Sequence, residues 1–464
     1  MTCEKHIIFA IILLFCTNNV FSQVPVVLWE QGYGNTNMGA NFGSALKTTD
    51  GNFILVGSNG IGTSESIVVK ITTDNQLVWE NIQTNYYVKK GFVQQNDGFF
   101  YSVKNNLNNY ILYQFNANGV LTNQWGFTNT TSLDIRKLIT TQEGGFLLSG
   151  TKNNPEISTD LNTGWVVKLN ASKTIEWELE IALPPDAIQL QTSTQITDGN
   201  FLVAGHKEYN DATSDFYLAK IDIQGNLVWE REYGGSESED VWAVTELVNG
   251  NYIFAGASNS IDGDVSNNNG FLNVWTIITD RDGNLLSEKI VTNGFLSFTE
   301  SSIIVESDGG YTIGVINDNC IPGSINFNLQ RFNASHQRIW EFCSSEGGLY
   351  DLVKTDDDGY IAVGSGTING VSQAKAIKIG VVLDNESFAL QNTSFYPNPV
   401  KDILHIKSDI VFNHITIYTV DGRKVMMEQI QNNQINVEKL PQNLYIAKIV
   451  TENEQEVHLK FVKN

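Results

Sequence analysis

Histidine and cysteine are the scarcest chemical resources of this chain, six and four among 464 residues. Outside the first 22 and last 70 residues only His206 and His336 remain, and neither lies in a recognisable nucleophile motif; both read as loop or strand-edge residues. Histidine-driven nucleophilic catalysis is therefore poorly supplied, and no cysteine cluster has zinc-site spacing. Proline is rare, 8 residues against 39 glycines, which suits short strands joined by tight turns. Apolar residues do not recur at helical spacing, so a helical fold is excluded. Basic residues are outnumbered 29 to 51, for a formal net charge of −22. The chain thus lacks the cationic face that nucleic-acid phosphates require. Residues 395–464 are balanced, with eight Lys/Arg and eight Asp/Glu, so the acidity sits in the preceding part. Solubility is its simplest role, and cations or neutral glycans are compatible with it.

Long apolar runs are missing too, except at the N-terminus. Met1 to Ser22 carries Lys5, the apolar run Ile7 to Cys16 and then Val20-Phe21-Ser22, the layout of a secretory signal cut before Gln23. The run is too short for a membrane span, which needs about 20 apolar residues. No later segment is long and apolar enough to cross a membrane. Removing the signal leaves Cys320 and Cys343, which a four-stranded meander brings to the same rim. A disulfide in an oxidising exterior and two unpaired small residues both fit.

What the chain has in quantity is repetition. A Trp-Glu pair ends one apolar run, and an Asn/Asp-Gly-x-aromatic turn opens the next. The first anchor recurs at Trp29, Trp79, Trp125, Trp177, Trp229, Ser287 and Trp340. The second recurs at Phe53, Phe99, Phe146, Phe201, Tyr252, Tyr311 and Tyr360, seven copies each. A spacing of about 50 residues indicates a repeat architecture. Within a unit, Val241, Ala243, Thr245 and Leu247 alternate with Trp242, Val244, Glu246 and Val248, which is strand periodicity. Asn249-Gly250 and Asp280-Arg281-Asp282-Gly283-Asn284 supply hairpin turns. Four strands per unit, repeated radially, predict an all-β, seven-bladed β-propeller, an arrangement that leaves few exposed edges. The last unit lacks a Trp-Glu strand, and Val26 to Gly34 matches Leu227 to Gly234. The N-terminal strand is therefore expected to complete the seventh blade.

The loops after each second strand and after each Trp-Glu strand fall on one rim. Their aromatics Tyr33, Tyr86, Tyr87, Tyr209, Tyr233, Phe295 and Tyr350 either contact a glycan or protein ligand or cap the seams between blades. Asp262, Asp264 and Ser266 place oxygens at alternate positions like the start of a calcium loop, but Asn267 and Asn273 stand where such a loop has its glycine and closing glutamate. A structural Ca²⁺ and a hydrated surface loop are the two readings, and no other cofactor is expected. The recurring Trp-Glu glutamates read as architectural. Rim carboxylates could supply a glycosidase pair, which needs about 5 to 9.5 Å between carboxyls.

The units resemble secreted bacterial propeller repeats through Trp165 to Leu169, Gly225 to Trp229, Tyr233-Gly234-Gly235 and Asp308-Gly309-Gly310-Tyr311. That resemblance covers roughly residues 26–384 and specifies a fold rather than an activity. After a polar linker, Phe395 to Ile406 with Tyr396-Pro397-Asn398-Pro399, then Ile415 to Arg423 with Gly422, Leu444 to Ile449 with Tyr445, and Lys460 to Lys463 resemble a type IX secretion C-terminal sorting domain, type A. Asn443 stands where that family carries glycine and is expected to keep a left-handed turn. Bottom-up, the same stretch reads as a small antiparallel, Ig-like β-sandwich. The resemblance implies export through the periplasm by the type IX machinery, and release or anchoring at the outer surface of a diderm bacterium. The expected organisation is a signal at 1–22, propeller at 23–384, linker at 385–394 and sorting domain at 395–464, in a monomer. Two functions follow: a non-catalytic glycan- or protein-binding adhesion module, or a polysaccharide hydrolase or lyase using rim carboxylates.

Overall fold

The computed structural model describes residues 22–464 except 35–38, 61–64, 85–91, 107–108, 129–130, 154–161, 182–184, 293–296, 299–302, 318–325, 344–346, 369, 385–393, 409–411, 421, 431 and 452–455. One compact unit comprises Pro25–Val381, and a second includes Val382–Asn464. Among the described residues both are built of strands without helices.

The larger unit is a β-propeller. Among the described residues it contains seven antiparallel sheets, six built from strands consecutive in sequence. Six have four strands, and the sheet around Tyr311–Asn317 has a short fifth. The seventh joins Gly348–Lys354, Tyr360–Ile368 and Val371–Asp384 to Ser22–Tyr33 from the other end of the chain, as the permuted Trp29-Glu30 text predicts. Apolar clusters fill successive seams: Val56 with Phe100, Phe146 with Tyr110, Val166 with Phe201, and Phe216 with Trp275. The circle continues through Ala255 with Ile313 and Leu329 with Ile377, and closes where Phe42 and Phe53 meet Ile361 and Ala374. Each sheet thus buries both faces against neighbours, which explains continuous runs such as the fully buried Tyr252–Ser258.

The outer wall explains the first anchor. The indole of Trp29 donates to the Thr73 carbonyl at 2.9 Å, Trp79 to Ala117 at 3.1 Å, Trp177 to Ile223 at 3.0 Å and Trp229 to Arg281 at 3.2 Å. Each acceptor lies in the last hairpin of the following sheet. In three of those hairpins Gly119, Gly225 and Gly283 have φ of 72°, 89° and 78°, and a Cβ there would meet the preceding sheet's tryptophan. Trp340 has the same place in the sixth sheet, yet among the described residues its buried Nε1 lacks a partner. The cause is topological: the seventh sheet takes its outer strand from the N-terminus and has no such hairpin. The glutamates Glu178, Glu230 and Glu288 that follow three of the anchor positions are architectural. Glu178 accepts from the Trp165 indole at 2.6 Å, Glu230 from the Tyr217 hydroxyl at 2.6 Å, and Glu288 from Trp275 at 2.9 Å.

Two sequence expectations need correction here. Gln94 pairs with Phe100 as Thr140 pairs with Phe146, so Phe100 rather than Phe99 is the second sheet's anchor. Strict alternation through Val241–Val248 is also broken. Val241 and Val244 share one seam, whereas Ala243 and Leu247 face the other. A bulge at Trp242 adds one residue, and a one-residue shift exchanges the faces of a strand.

The smaller unit consists of a three-stranded sheet with Ser394–Tyr396, Ile403–Lys407 and Gln434–Asn436, and a four-stranded sheet centred on Phe412–Thr419 and Asn443–Thr451. Leu404, Ile415, Ile417, Val437, Ala447 and Phe461 form its core, as the Ig-like reading requires. The Tyr445 hydroxyl donates back to the Pro441 carbonyl at 2.8 Å. Asn398, between Pro397 and Pro399, accepts from the Val462 amide at 2.9 Å and so ties the opening motif to the last strand. Tyr396 stacks on His405 at 5.0 Å, Gly422 turns at φ 84°, and buried Lys463 donates to the Asn464 carbonyl at 2.6 Å. Asn443 does not adopt the left-handed turn expected of it; it opens a strand opposite Lys463, and its side chain caps the Leu444 amide at 2.8 Å.

Candidate functional site

The rim aromatics divide. Tyr86, Tyr87 and Phe295 lie outside the described residues. Tyr233 is buried, and its hydroxyl donates to the Gly283 carbonyl in the next sheet. Tyr33 donates to Asn75, and its ring packs on Phe42 at 5.5 Å. These two cap seams. Tyr209 donates to Asp215 at 2.7 Å and Glu232 at 3.0 Å, under the Lys207 ammonium 5.1 Å from its ring. Tyr350 faces the central cavity.

Around Tyr209 the rim is densely acidic. Gly234 separates two carboxylates: a Cβ there would stand 2.1 Å from Asp215 Oδ1 and 2.5 Å from Glu239 Oε2. Burial raises the pKa of both, with Glu232 and Asp264 adding to the effect on Asp215 and Asp215 adding to that on Glu239. Glu239 is fully buried; it accepts from Ser258 at 2.7 Å and the Gly235 amide at 3.0 Å. It therefore braces the loop from within. The calcium-like loop braces the same segment from outside. Asp262 accepts the Ser236 amide at 2.8 Å, Asp264 the Gly234 amide at 3.2 Å, and Ser266 donates to Glu288. Among the described residues no group of three or more His, Cys, Asp or Glu is arranged to hold a metal. His206 lies towards the end of the strand Phe201–Glu208, and its Nδ1 is 2.7 Å from Asp240. His336 lies in a turn at φ 60°. Cys343 is in a disulfide and its sulfur accepts from Asn328 at 3.1 Å, while Cys320 lies outside the described residues.

The second concave feature is the centre of the ring, which the sequence did not disclose. The innermost strands Asn41–Lys47, Leu133–Thr140, Ala187–Gln195, Glu239–Glu246 and Gly348–Lys354 each carry one bulge at an equivalent place. The extra residues are Gly43, Arg136, Gln191, Trp242 and Tyr350. A bulge bends its strand and re-aims a side chain. All five line one cavity of about 290 Å³ together with Ser44, Lys137, Thr192, Thr245 and Asp351. A neighbouring cavity of about 550 Å³ shares Ser44, Lys137, Ile139, Thr194 and Asp351.

A glycine stands opposite each bulge: Gly57, Gly150, Gly205, Gly256 and Gly364. A Cβ would approach the bulged strand's carbonyl oxygen to 1.9 Å at Gly57, Gly205 and Gly364, and to 2.1 Å at Gly150 and Gly256. The glycine visible in the repeat text is thus the imprint of a bulge whose own residue varies. The second sheet has Lys104 at that register position, opposite Ile111, and its innermost strand is described only over Val93–Gln94.

The family model for a secretion system C-terminal sorting domain matches residues 394–464. No curated protein matches the sequence. Among solved structures, the chain is similar to PorZ, described as an essential bacterial surface component of the type-IX secretion system of Porphyromonas gingivalis, at 10% identity and TM-score 0.46. That alignment covers 93% of this chain and 60% of PorZ's. The WD40 domain of Neurospora crassa Pan2 aligns at 9% identity and TM-score 0.48, covering 79% of this chain and 97% of its own. The Dos1 propeller aligns at 9% and 0.46, covering 74% and 78%. The chain is a β-propeller that carries a type IX secretion C-terminal sorting domain, and hence a secreted or cell-surface bacterial protein.

Proposed function

We propose that the N-terminal signal delivers the chain to the periplasm, that the type IX machinery carries it across the outer membrane, and that its propeller then serves as a non-catalytic binding module for a glycan or protein. The observation that carries the binding reading is the convergence of Arg136, Gln191, Trp242 and Tyr350 from separate sheets on one polar cavity. Ligand sites combine such a concavity with a few convergent polar groups. The rim around Tyr209 is the second contact zone.

The alternative, a polysaccharide hydrolase or lyase, draws on Asp215 and Glu239, whose raised pKa values suit acid–base work. It is the weaker reading because Glu239 is enclosed with both oxygens bonded.

The test is thermal unfolding of the full chain across a polysaccharide panel, with calcium or chelator, while released sugar is assayed in parallel. Ligand at 100 times its Kd adds about 2.7 kcal/mol. A stabilising ligand lost on Trp242→Ala, without sugar release, supports the channel module. Sugar release moves the assignment to an enzyme. The chelator arm reports on Asp262–Ser266.

A further inference from the structure

The net charge of −22 makes the cavity's own charges unexpected. The charged residues lining the two cavities are Arg136, Lys137 and Asp351. Asp351 accepts the Ala45 and Leu352 amides, each at 2.9 Å, and so serves the backbone. Lys137 pairs with Ser149 in the sheet, and among the described residues its ammonium makes no ion pair or hydrogen bond. Arg136 engages Asp134 through Nη2 at 2.6 Å, while its Nε–H is buried without a partner. Two cations and one carboxylate thus line the cavities, and among the described residues Lys137 is the cation without an ion pair. Beyond a Debye length of about 8 to 10 Å, the acidic exterior is largely screened from it.

Gln191 is the second, independent sign. It is 8% exposed, lines the cavity, and its Oε1 is buried without a hydrogen-bond partner. A buried acceptor left unpaired is costly, and this one sits at a bulge that separates it from the ladder. A ligand hydroxyl can satisfy it once the side chain rotates towards the cavity that the residue lines. Trp242 and Tyr350, half-buried on other sheets, add aromatic faces, and Ser44 and Thr245 add hydroxyls.

Building on the channel reading, we propose that this cavity takes a compact carboxylate-bearing sugar of the uronic-acid type. Arg136 and Lys137 hold the carboxylate, Gln191 accepts from a ring hydroxyl, and Trp242 packs on the ring. The guanidinium suits carboxylate geometry. Cavities of about 300 Å³ and upward hold small molecules, so the smaller space suits one sugar residue and the neighbouring one an extension.

The experiment is calorimetric titration of the full chain with D-galacturonate, D-glucuronate, methyl galacturonate ester and D-galactose. A uronate is expected to bind, with the ester and galactose at least about tenfold weaker, a difference of 1.4 kcal/mol. Arg136→Gln and Lys137→Gln should each weaken uronate binding about tenfold, as expected for a lost charge-assisted contact, with unchanged circular dichroism. Gln191→Leu should weaken it without affecting the preference for acid over ester. Equal binding of galactose and galacturonate, no uronate binding, or indifference to Arg136→Gln overturns the acidic specificity. If a neutral sugar binds and Trp242→Ala abolishes it, the channel reading survives alone. If a panel ligand binds and neither Trp242→Ala nor Arg136→Gln alters it, the channel reading falls as well.

Discussion

The same backbone device appears at both ends of the blades, with opposite consequences. At the inner end, the residues added by bulges are Gly43, Arg136, Gln191, Trp242 and Tyr350. At the outer end, register shifts just before Trp79, Asn123, Trp177, Trp229, Ser287 and Trp340 add Val78, Thr122, Glu176, Val228, Leu286 and Ile339, so Asn123 rather than Trp125 holds the anchor position of the second sheet. The outer residues point to solvent, Val228 at 52% and Leu286 at 55% exposure, whereas each inner residue lines the central cavity. Outside, the shift serves the anchor beside it and the added residue is incidental. Inside, no anchor follows, and the added residue is what the bulge delivers. A position that packs nothing against a neighbouring blade is free to differ between repeats, and freedom combined with convergence on a cavity is what a binding site needs.

The largest effect should come from removing the outer strand of one sheet. A chain beginning after Tyr33 loses the Trp29 packing and the Glu30–Lys375 ion pair at 2.8 Å, in which Lys375 is 1% exposed. It is expected to lose cooperative unfolding in urea. Retention of a sharp transition would show that ring closure is dispensable.

At the inner end, Gly205→Ala and Gly256→Ala should each cost about 3 kcal/mol, the upper part of the overpacking range, because the added methyl meets the bulge carbonyl. Gly51→Ala is a control, since nothing lies within 4 Å of its Cβ position and only its φ of 78° opposes the change. Denaturant midpoints that rank Gly51 with the other two would separate the glycines from the bulges.

Comparing two tryptophans isolates one hydrogen bond. Trp177→Phe loses the bond to Ile223, while Trp340→Phe has none to lose. The first should be more destabilising by about 1 kcal/mol, measured by chemical denaturation. Equal losses would mean that these indoles stabilise by packing alone.

The smallest effects concern pH. Asp198 lies opposite Lys220 at 3.0 Å. Burial raises its pKa, but the Asn200 amide and Lys220 together overcome this and hold it below the ordinary value. Its stabilisation is present above the unfolded pKa of about 3.9 and is lost as pH falls through the lower folded value. Asp215 on the rim has a raised pKa, with burial the largest cause, so its stabilisation is present below the unfolded value and is lost as pH rises through the folded one. Asp198→Asn should flatten the acid limb of a melting-temperature profile, whereas Asp215→Asn should reduce the decline on the other side of about pH 4. Shifts of the same sign would contradict these environments.

Several features were legible because one residue carries one constraint. The Trp-Glu text marks outer strands because an indole must reach the next hairpin and a carboxylate its own third strand. The permuted Val26–Gly34 text foretold the composite sheet. Phe99 and Phe100 were indistinguishable by type, and only the Gln94 pairing decides between them. The rim tyrosines misled in part, because an aromatic that caps a seam, such as Tyr233, reads like one that meets a ligand.

The sequence by itself determined the architecture and the export module, since turn residues and anchors act over a few residues and recur along the chain. Only the tertiary structure decided which residues share the cavity. Arg136, Gln191, Trp242 and Tyr350 each stand ten residues before a repeat aromatic, Phe146, Phe201, Tyr252 and Tyr360, but they are of unlike type, and the spacing does not reveal that the position is a bulge facing a cavity. They meet because each sits at the same bulge of its own sheet, and closure of the ring brings those bulges to one axis.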